Sequence, residues 1–379
     1  MCFTMAFGVK GHSPIAKFKR EGKRNMKNFK RFLIVVLAFM MVLVAVGCGS
    51  DSTDQAATTT TTETTTTETT TPAEKYEFTL AMDSPEDSVT YLFAKKFSDL
   101  VSEKSSGNMI IQVYSNGQLG GDREIAESVQ AGNIDFVTQN TAPQVNFVSD
   151  LAVFDMPSVF PDVPTARKAL DLYKDTIAKS YEAAGFKLYG FADQGFRTMT
   201  TNKKVITVAD IAGQKIRTME NPYHVEYWRA LGANPTPMAF GEVYIGLQQG
   251  TIDAQENPYE TIVSAKLYEQ QKYIINTNHI FHIISLIGNP AKYDSLPAEN
   301  QAIIDEAAAE ASAWAREQAD ARVADRVKIM EDYGCEIVDL DAAVLADMAA
   351  SAEGVYGTIR EKVGNELVDA LLDAVQASK

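Results

Sequence analysis

From Tyr76 onward the spacing of apolar and polar positions switches repeatedly between a period of two and a period near 3.6. "YEFTLAMD" (Tyr76–Asp83) alternates and predicts a strand. Leu92, Phe93, Phe97, Leu100 and Val101 then fall on one face of a helix predicted from about Val89 to Lys104. "MIIQVYS" is a second strand, and "NGQLGGDREIAESVQAGNIDFVTQN" leads through a loop and a helix to a third. "AVFDMPSVFPDVPTARKAL" is apolar and then punctuated by proline. "FKLYGFADQGFRTMTTNK" carries a strand into Gly195-Phe196-Arg197.

The stretch Gly213–Glu260 reads as strand, helix, strand, helix, strand. Ile216 and Thr218 alternate with Lys215, Arg217 and Met219. Asn221-Pro222 supplies a cap and a first-turn proline, and Gly232 ends that helix. A second helix, from about Gly241 to Gln249, stops at Gly250, and "TIDAQEN" follows as a short strand. From Pro297 to Tyr333 the chain is Ala-rich and helical, about 50–55 Å long if unbroken, and it keeps no heptad. The helices from Ala342 onward read as packing elements.

Two segments share one form. "VQAGNID" (Val129–Asp135) and "LQQGTID" (Leu247–Asp253) each end a helix at glycine and enter a strand, and each helix begins near an acidic residue, Glu124 or Glu242. Strand–helix alternation occurring twice implies two similar α/β lobes. Ligands of open α/β sheets sit beyond the carboxyl ends of the strands. Here those ends are Thr138-Gln139-Asn140 and Gln255-Glu256-Asn257, and two such edges facing each other make a cleft.

"KIR", "GANPTPMAFGEVY", "LQQGTIDAQENP" and "YEQQKYIINTNH" together resemble the DctP-type substrate-binding proteins of TRAP transporters, extracytoplasmic receptors that deliver organic acids to a sodium-coupled permease. The resemblance runs from about Tyr76 to the C-terminus. It implies an α/β, two-lobed, periplasmic-binding-protein-like fold with a cleft between the lobes and a long helix crossing both. Lobe I is expected to comprise 76–194 plus about 283–322, and lobe II 195–282 plus about 323–379.

A planar carboxylate is matched by arginine through two parallel hydrogen bonds. Taken alone, Arg217 is an ordinary solvated strand-end residue. The resemblance makes it the carboxylate clamp, with Arg197 twenty residues earlier as the second arginine and Asn257 forty later as the ligand-binding asparagine. It also makes Phe240 the aromatic wall of the pocket, for which a core position is the competing reading, and places Asn140 at a strand end on the cleft. Asp83 and Asp122-Arg123 lie on cleft loops or on ordinary surface. Tyr223, His224 and Tyr227 follow the clamp strand toward the distal part of a ligand. Glu220 and Glu256 are each placed to accept a ligand hydroxyl or to face solvent. "DQGFR" and "NPYHVEYW" lean toward a uronate or a dicarboxylate within a class that also holds other sugar acids and 2-oxo acids.

Composition narrows the partners. Residues 1–47 carry nine of the 35 basic residues and one of the 50 acidic ones, leaving a net charge of −23 on the rest. Such a surface has no electrostatic affinity for nucleic acid. It also opposes an anionic ligand, so local cations must do the attracting. Residues 1–31 are basic, and Phe32–Val46 is an unbroken apolar run, short for a membrane span and suited to a signal-peptide core. "VAVGCGS" then resembles a lipoprotein signal with Cys48 lipidated, anchoring the protein to the outer face of the cytoplasmic membrane or in the periplasm; Met26 offers an alternative start. The Thr-rich stretch 48–75 lacks the apolar residues to fold and reads as a tether of roughly 25–30 Å.

No pair of cysteines remains in the folded part, where Cys335 reads as a core residue. The close pair His279 and His282 lacks an accompanying ligand constellation and reads as structural. No "GxxxxGK[ST]", "HExxH" or "GxSxG" is present, so no cofactor, metal or catalytic residue is expected. Two rival functions share the fold: a binding module for a membrane sensor, and an enzyme acting on an organic acid with Glu256 or His224 as base.

Overall fold

The computed structural model describes residues 75–379; the expected signal peptide, Cys48 and nearly all of the expected tether lie outside the described residues. The chain runs β1 (Tyr76–Ala81), α1 (Val89–Lys104), β2 (Met109–Tyr114), α2 (Asp122–Gln130), β3 (Phe136–Asn140), α3 (Val163–Ala183), β4 (Lys187–Phe196) and β5 (Thr198–Thr201). It continues through β6 (Lys215–Thr218), α4 (Pro222–Ala230), β7 (Asn234–Pro237), α5 (Val243–Gln249), β8 (Ala254–Asn257), α6 (Tyr259–Ser264), β9 (Tyr273–Asn276) and β10 (Phe281–Gly288). The last elements are α7 (Ala298–Tyr333), β11 (Glu336–Asp339), and the helices Ala342–Ala350, Glu353–Val363 and Asn365–Ser378.

Two sheets define two lobes. One has strand order β2-β1-β3-β10-β4 and the other β11-β9-β5-β8-β6-β7. The repeated motif is built identically in both. Asp135 Oδ2 accepts the Thr79 amide (2.8 Å) as β3 joins β1, and Asp253 Oδ2 accepts the Lys215 amide (2.9 Å) as β8 joins β6. Both pairings are parallel, Leu80 opposite Phe136 and Ile216 opposite Ala254. The preceding glycines, Gly132 and Gly250, have φ of +77° and +69°, a conformation that costs a residue with a Cβ. The carboxyl ends of β3 and β8 thus mark equivalent edges of the two sheets.

Neither sheet is purely parallel. β10 runs antiparallel to both β3 and β4, and β5 antiparallel to β8 and β9. The chain therefore passes between the sheets at Arg197, beyond β4, and again just before Phe281.

The long helix α7 has 36 residues, about 54 Å at 1.5 Å per residue. Ile304, Ala307, Ala308, Ala311 and Ala315 enter the apolar core around β1 and α1, while Met330 enters the core beside α5. One element therefore serves both lobes. Its alanines allow close approach to β4: a Cβ on Gly190 would lie 2.4 Å from Ser312 Oγ. The 21-residue helix α3, unassigned from the sequence, begins at Asp162, whose Oδ1 caps the Thr165 amide at 2.8 Å.

Candidate functional site

β6 ends in the alternation that places Ile216 in the core and turns Arg217 toward the other lobe's edge. Arg217 is only 2% exposed. Its Nε and Nη2 both donate to the Met238 carbonyl, at 3.0 and 2.7 Å. Met238 follows β7, which pairs with β6 residue for residue, Arg217 opposite Thr236. The third nitrogen, Nη1, is buried and has no hydrogen-bond partner. The Phe240 ring centroid lies 6.0 Å from Arg217 Cζ, within cation–π range. Burial pushes the guanidinium down to about 10, and Glu256 opposes that shift, so the group stays charged at neutral pH.

Around this arginine the two lobes form a narrow cavity of about 30 Å³, lined by Asp83, Ser84, Thr90, Asp122, Asn140, Arg217, Met219, Phe240, Asn257, Thr261 and His282. Asn257 donates to Gln255 Oε1 at 2.6 Å. Asn140 caps the turn after β3, its Oδ1 accepting the Ala142 amide and its Nδ2 donating to the Ile283 carbonyl. Asp83, on the loop after β1, is buried and accepts a hydrogen bond from the Asp122 carboxyl. Burial raises its carboxyl to about 6 against the opposing charge of Arg217. Burial, and then the charge of Asp83, raises the Asp122 carboxyl well above the usual range.

Arg197 is placed differently from the expectation of a second ligand arginine. It is fully buried behind the cavity wall, with Nε and Nη2 donating to the Glu256 carboxylate and Nη2 also to its backbone carbonyl. Nη1 lies 2.6 Å from His282 Nδ1. Arginine has no acceptor, so His282 Nδ1 accepts and the proton of the neutral ring sits on Nε2. Burial, then the charge of Arg197, keeps His282 well below its usual pKa and therefore neutral. Arg197 thus fixes the tautomer of a cavity-lining histidine.

Glu256 and Tyr223 also depart from expectation. Glu256 is fully buried and saturated: Oε2 accepts from Arg197 and, at 3.0 Å, from His279, while Oε1 accepts from Arg197. Burial alone would raise its pKa, but the Arg197 charge and the hydrogen bonds from His279 and Arg197, with His224 Nδ1 nearby at 3.9 Å, hold it well below the carboxylate range. Tyr223 packs into the apolar core with Tyr227 and Trp228 because α4 turns that face inward. His224 bonds Asp155 through Nε2 at 3.0 Å and is wholly buried. Neither base considered for an enzyme lines the cavity.

Sequence reasoning left out Ser84, Thr90, Met219 and Thr261, which carry no local motif, and it read His282 as structural, whereas His282 lines the cavity. Asp122 had a signal, an acid opening a helix directly after the glycine pair of the loop.

A roomier cavity of about 270 Å³ lies between Gln194, Phe196, Tyr259 and Arg326. Its charged groups are already matched, since Arg326 donates to Glu260 and to Asp87. Among the described residues no cluster of three or more metal-binding side chains occurs, and no helix is long and apolar enough to cross a membrane.

Similarity to known proteins agrees with this architecture. Residues 80–362 match the DctP model, described as bacterial extracellular solute-binding protein, family 7. The chain is 33% identical over 263 residues to the 2,3-diketo-L-gulonate-binding periplasmic protein YiaO of Escherichia coli K12, covering 68% of this chain and 79% of that protein. A TRAP periplasmic solute-binding protein from Polaromonas sp. JS666, bound to D-erythronate, matches with a TM-score of 0.75 and 31% identity over 79% of this chain and 98% of the other. The sugar acid binding protein DctPAm from Advenella mimigardefordensis, in complex with galactonate, matches with a TM-score of 0.78 and 26% identity over 81% and 99%. Two lobes, a shared long helix and a buried arginine at the cleft thus meet a match spanning nearly the whole folded part, and the chain belongs to the bacterial extracellular solute-binding protein family 7, the DctP family of solute receptors, which are not enzymes.

Proposed function

We propose that this protein captures one organic acid between its lobes, its carboxylate held by Arg217, and hands it to a TRAP-type permease while tethered through lipidated Cys48. The observation that carries the reading is Arg217 Nη1: a charged donor, buried at the cavity wall and without a partner. Leaving such a group unpaired costs about 1–3 kcal/mol or more, which an incoming carboxylate offsets. His282 supplies a neutral N–H at the same wall, and Asn257 an amide. Phe240 covers the guanidinium and excludes water, which strengthens each of these contacts.

Closure follows as differential affinity. A ligand touching Arg217 on one lobe and Asp83 or Asn140 on the other stabilises the shut arrangement over an open one. The relatives named for carboxylate and sugar acid ligands support the class. The negative charge of the folded part supports local, contact-based attraction over long-range steering.

The test is calorimetric titration with a panel of organic acids, each paired with its neutral amide. At least one acid is expected to bind at micromolar or better affinity while its amide fails to bind. Equal binding of acid and amide would remove the basis for the clamp. Delivery and anchoring are tested separately, by co-purification of the permease with the membrane-bound protein and by its release into the soluble fraction on Cys48→Ser.

A further inference from the structure

The reading of Arg217 as a carboxylate clamp leaves open what the rest of the ligand carries. The cavity lining answers through its charges. Of its residues only Arg217 is cationic, because His282 is held neutral by Arg197. Opposite it stand two carboxyls, Asp83 on the loop after β1 and Asp122 in the first turn of α2. Asp83 accepts a hydrogen bond from the Asp122 carboxyl and has only a long contact from Ser84 Oγ, at 3.4 Å, so it keeps lone pairs for a ligand donor. Glu220 adds a negative charge near Asp122. The neighbouring Arg123 is turned away and bonds Glu127 at 3.0 Å. Arg217 itself has one unmet nitrogen, enough for one carboxylate.

We propose that the Asp83–Asp122 pair is a specificity element that selects a polyhydroxylated monocarboxylate, an aldonate-type acid, and rejects a dicarboxylate. A hydroxyl donates to a carboxylate oxygen and accepts from a protonated carboxyl, so a polyol chain satisfies this wall in either protonation state. The Asp122 proton is already committed to Asp83, so the pair carries one negative charge, and a second ligand carboxylate, having only acceptors, would meet that charge in a site without another cation. Ser84 and Thr90, which also line the cavity, extend the hydroxyl-matching surface. The sequence alone leaned toward a uronate or a dicarboxylate; the charge balance of the wall favours a hydroxylated monocarboxylate over the dicarboxylate.

Two four-carbon acids isolate this choice: D-erythronate, with one carboxylate and three hydroxyls, and succinate, with two carboxylates and none. Galactonate serves as a longer hydroxy acid. Calorimetry on the full folded part at pH 7 should show the better of the two hydroxy acids binding at least about 100-fold more tightly than succinate. In the Asp83→Asn/Asp122→Asn double variant, which removes the charge of the pair, that ratio should shrink at least about tenfold, chiefly through tighter succinate binding, with thermal unfolding confirming folded protein. Succinate binding within tenfold of the hydroxy acids in the wild type overturns the proposal, whatever the double variant does. So does an unchanged ratio in the folded double variant. If neither hydroxy acid binds, the class assigned here falls, while the carboxylate clamp still stands or falls on the acid–amide panel.

Discussion

The carbonyl oxygen of Met238 accepts two hydrogen bonds from Arg217, one from Nε and one from Nη2, and so fixes the guanidinium plane while Nη1 stays free. The arginine is held by a neutral acceptor instead of a carboxylate. Its charge is therefore uncompensated at close range, in a cavity where burial already disfavours it. Arg197 shows the contrast: its guanidinium is neutralised by Glu256, and it builds the wall instead of reaching the cavity.

Glu256 is the acidic centre of that wall, and its loss should destabilise the fold. Glu256→Gln strips the counter-charge from buried Arg197, which is expected to cost about 3 kcal/mol in urea denaturation at pH 7. The pH dependence has a definite sign. A carboxyl held below its ordinary pKa stabilises above that value and loses the contribution as pH falls through the depressed folded-state pKa. The gap between wild type and variant should therefore be full at neutral pH and close in strong acid. A gap independent of pH down to unfolding would contradict the assignment.

Arg326 and Arg322 both reach Glu260 and Asp87 from α7, yet they should differ in weight. Arg326 is 4% exposed, and it neutralises a Glu260 that burial raises above its usual pKa. Arg326→Ala should lower stability by about 3 kcal/mol. Arg322 is more exposed, and its alanine variant should cost under about 1 kcal/mol. Chemical denaturation of the two variants side by side decides this, and equal losses would count against it.

Gly190 marks the closest approach of α7 to β4. Gly190→Ala places a methyl group 2.4 Å from Ser312 Oγ, and Ser312 Cβ lies at 3.5 Å. Overpacking of this kind costs about 1–3 kcal/mol. Ser312→Ala removes the nearest atom, so the double variant should recover most of the loss. A double-mutant cycle with no coupling between the two positions would show that the helix simply shifts.

The elements with strong local signals were legible in the sequence. The helix Val89–Lys104, the glycine-ended α5 and the Pro-started α4 all follow from periodicity and caps. The duplicated "AGNID" and "QGTID" segments exposed the two α/β units because each motif closes its own local strand pair. The antiparallel insertion of β10 between β3 and β4 was not legible, since nothing local to Phe281–Gly288 names partners so far away in the chain. At the site, Arg217 sits at a strand end that the pattern marks. Whether a buried arginine is met by a carbonyl, as Arg217 is, or by a carboxylate, as Arg197 is, depends on contacts across 21 and 59 residues of sequence. Tyr223 shows the same limit from the other side, because the facing of α4 is set by packing against the C-terminal helix Glu353–Val363, more than 120 residues away in the chain.

The most direct measurement is isothermal titration of wild type, Arg217→Ala and Arg217→Lys with the acid that wild type binds best, each variant first shown to be folded by circular dichroism. Two charge-assisted hydrogen bonds at about 1.5 kcal/mol or more each correspond to about a 100-fold effect. The account predicts binding at least about 100-fold weaker in the alanine variant and severe weakening in the lysine variant, whose ammonium cannot both hold the Met238 carbonyl and face a planar carboxylate. Binding retained within tenfold in Arg217→Ala would contradict it.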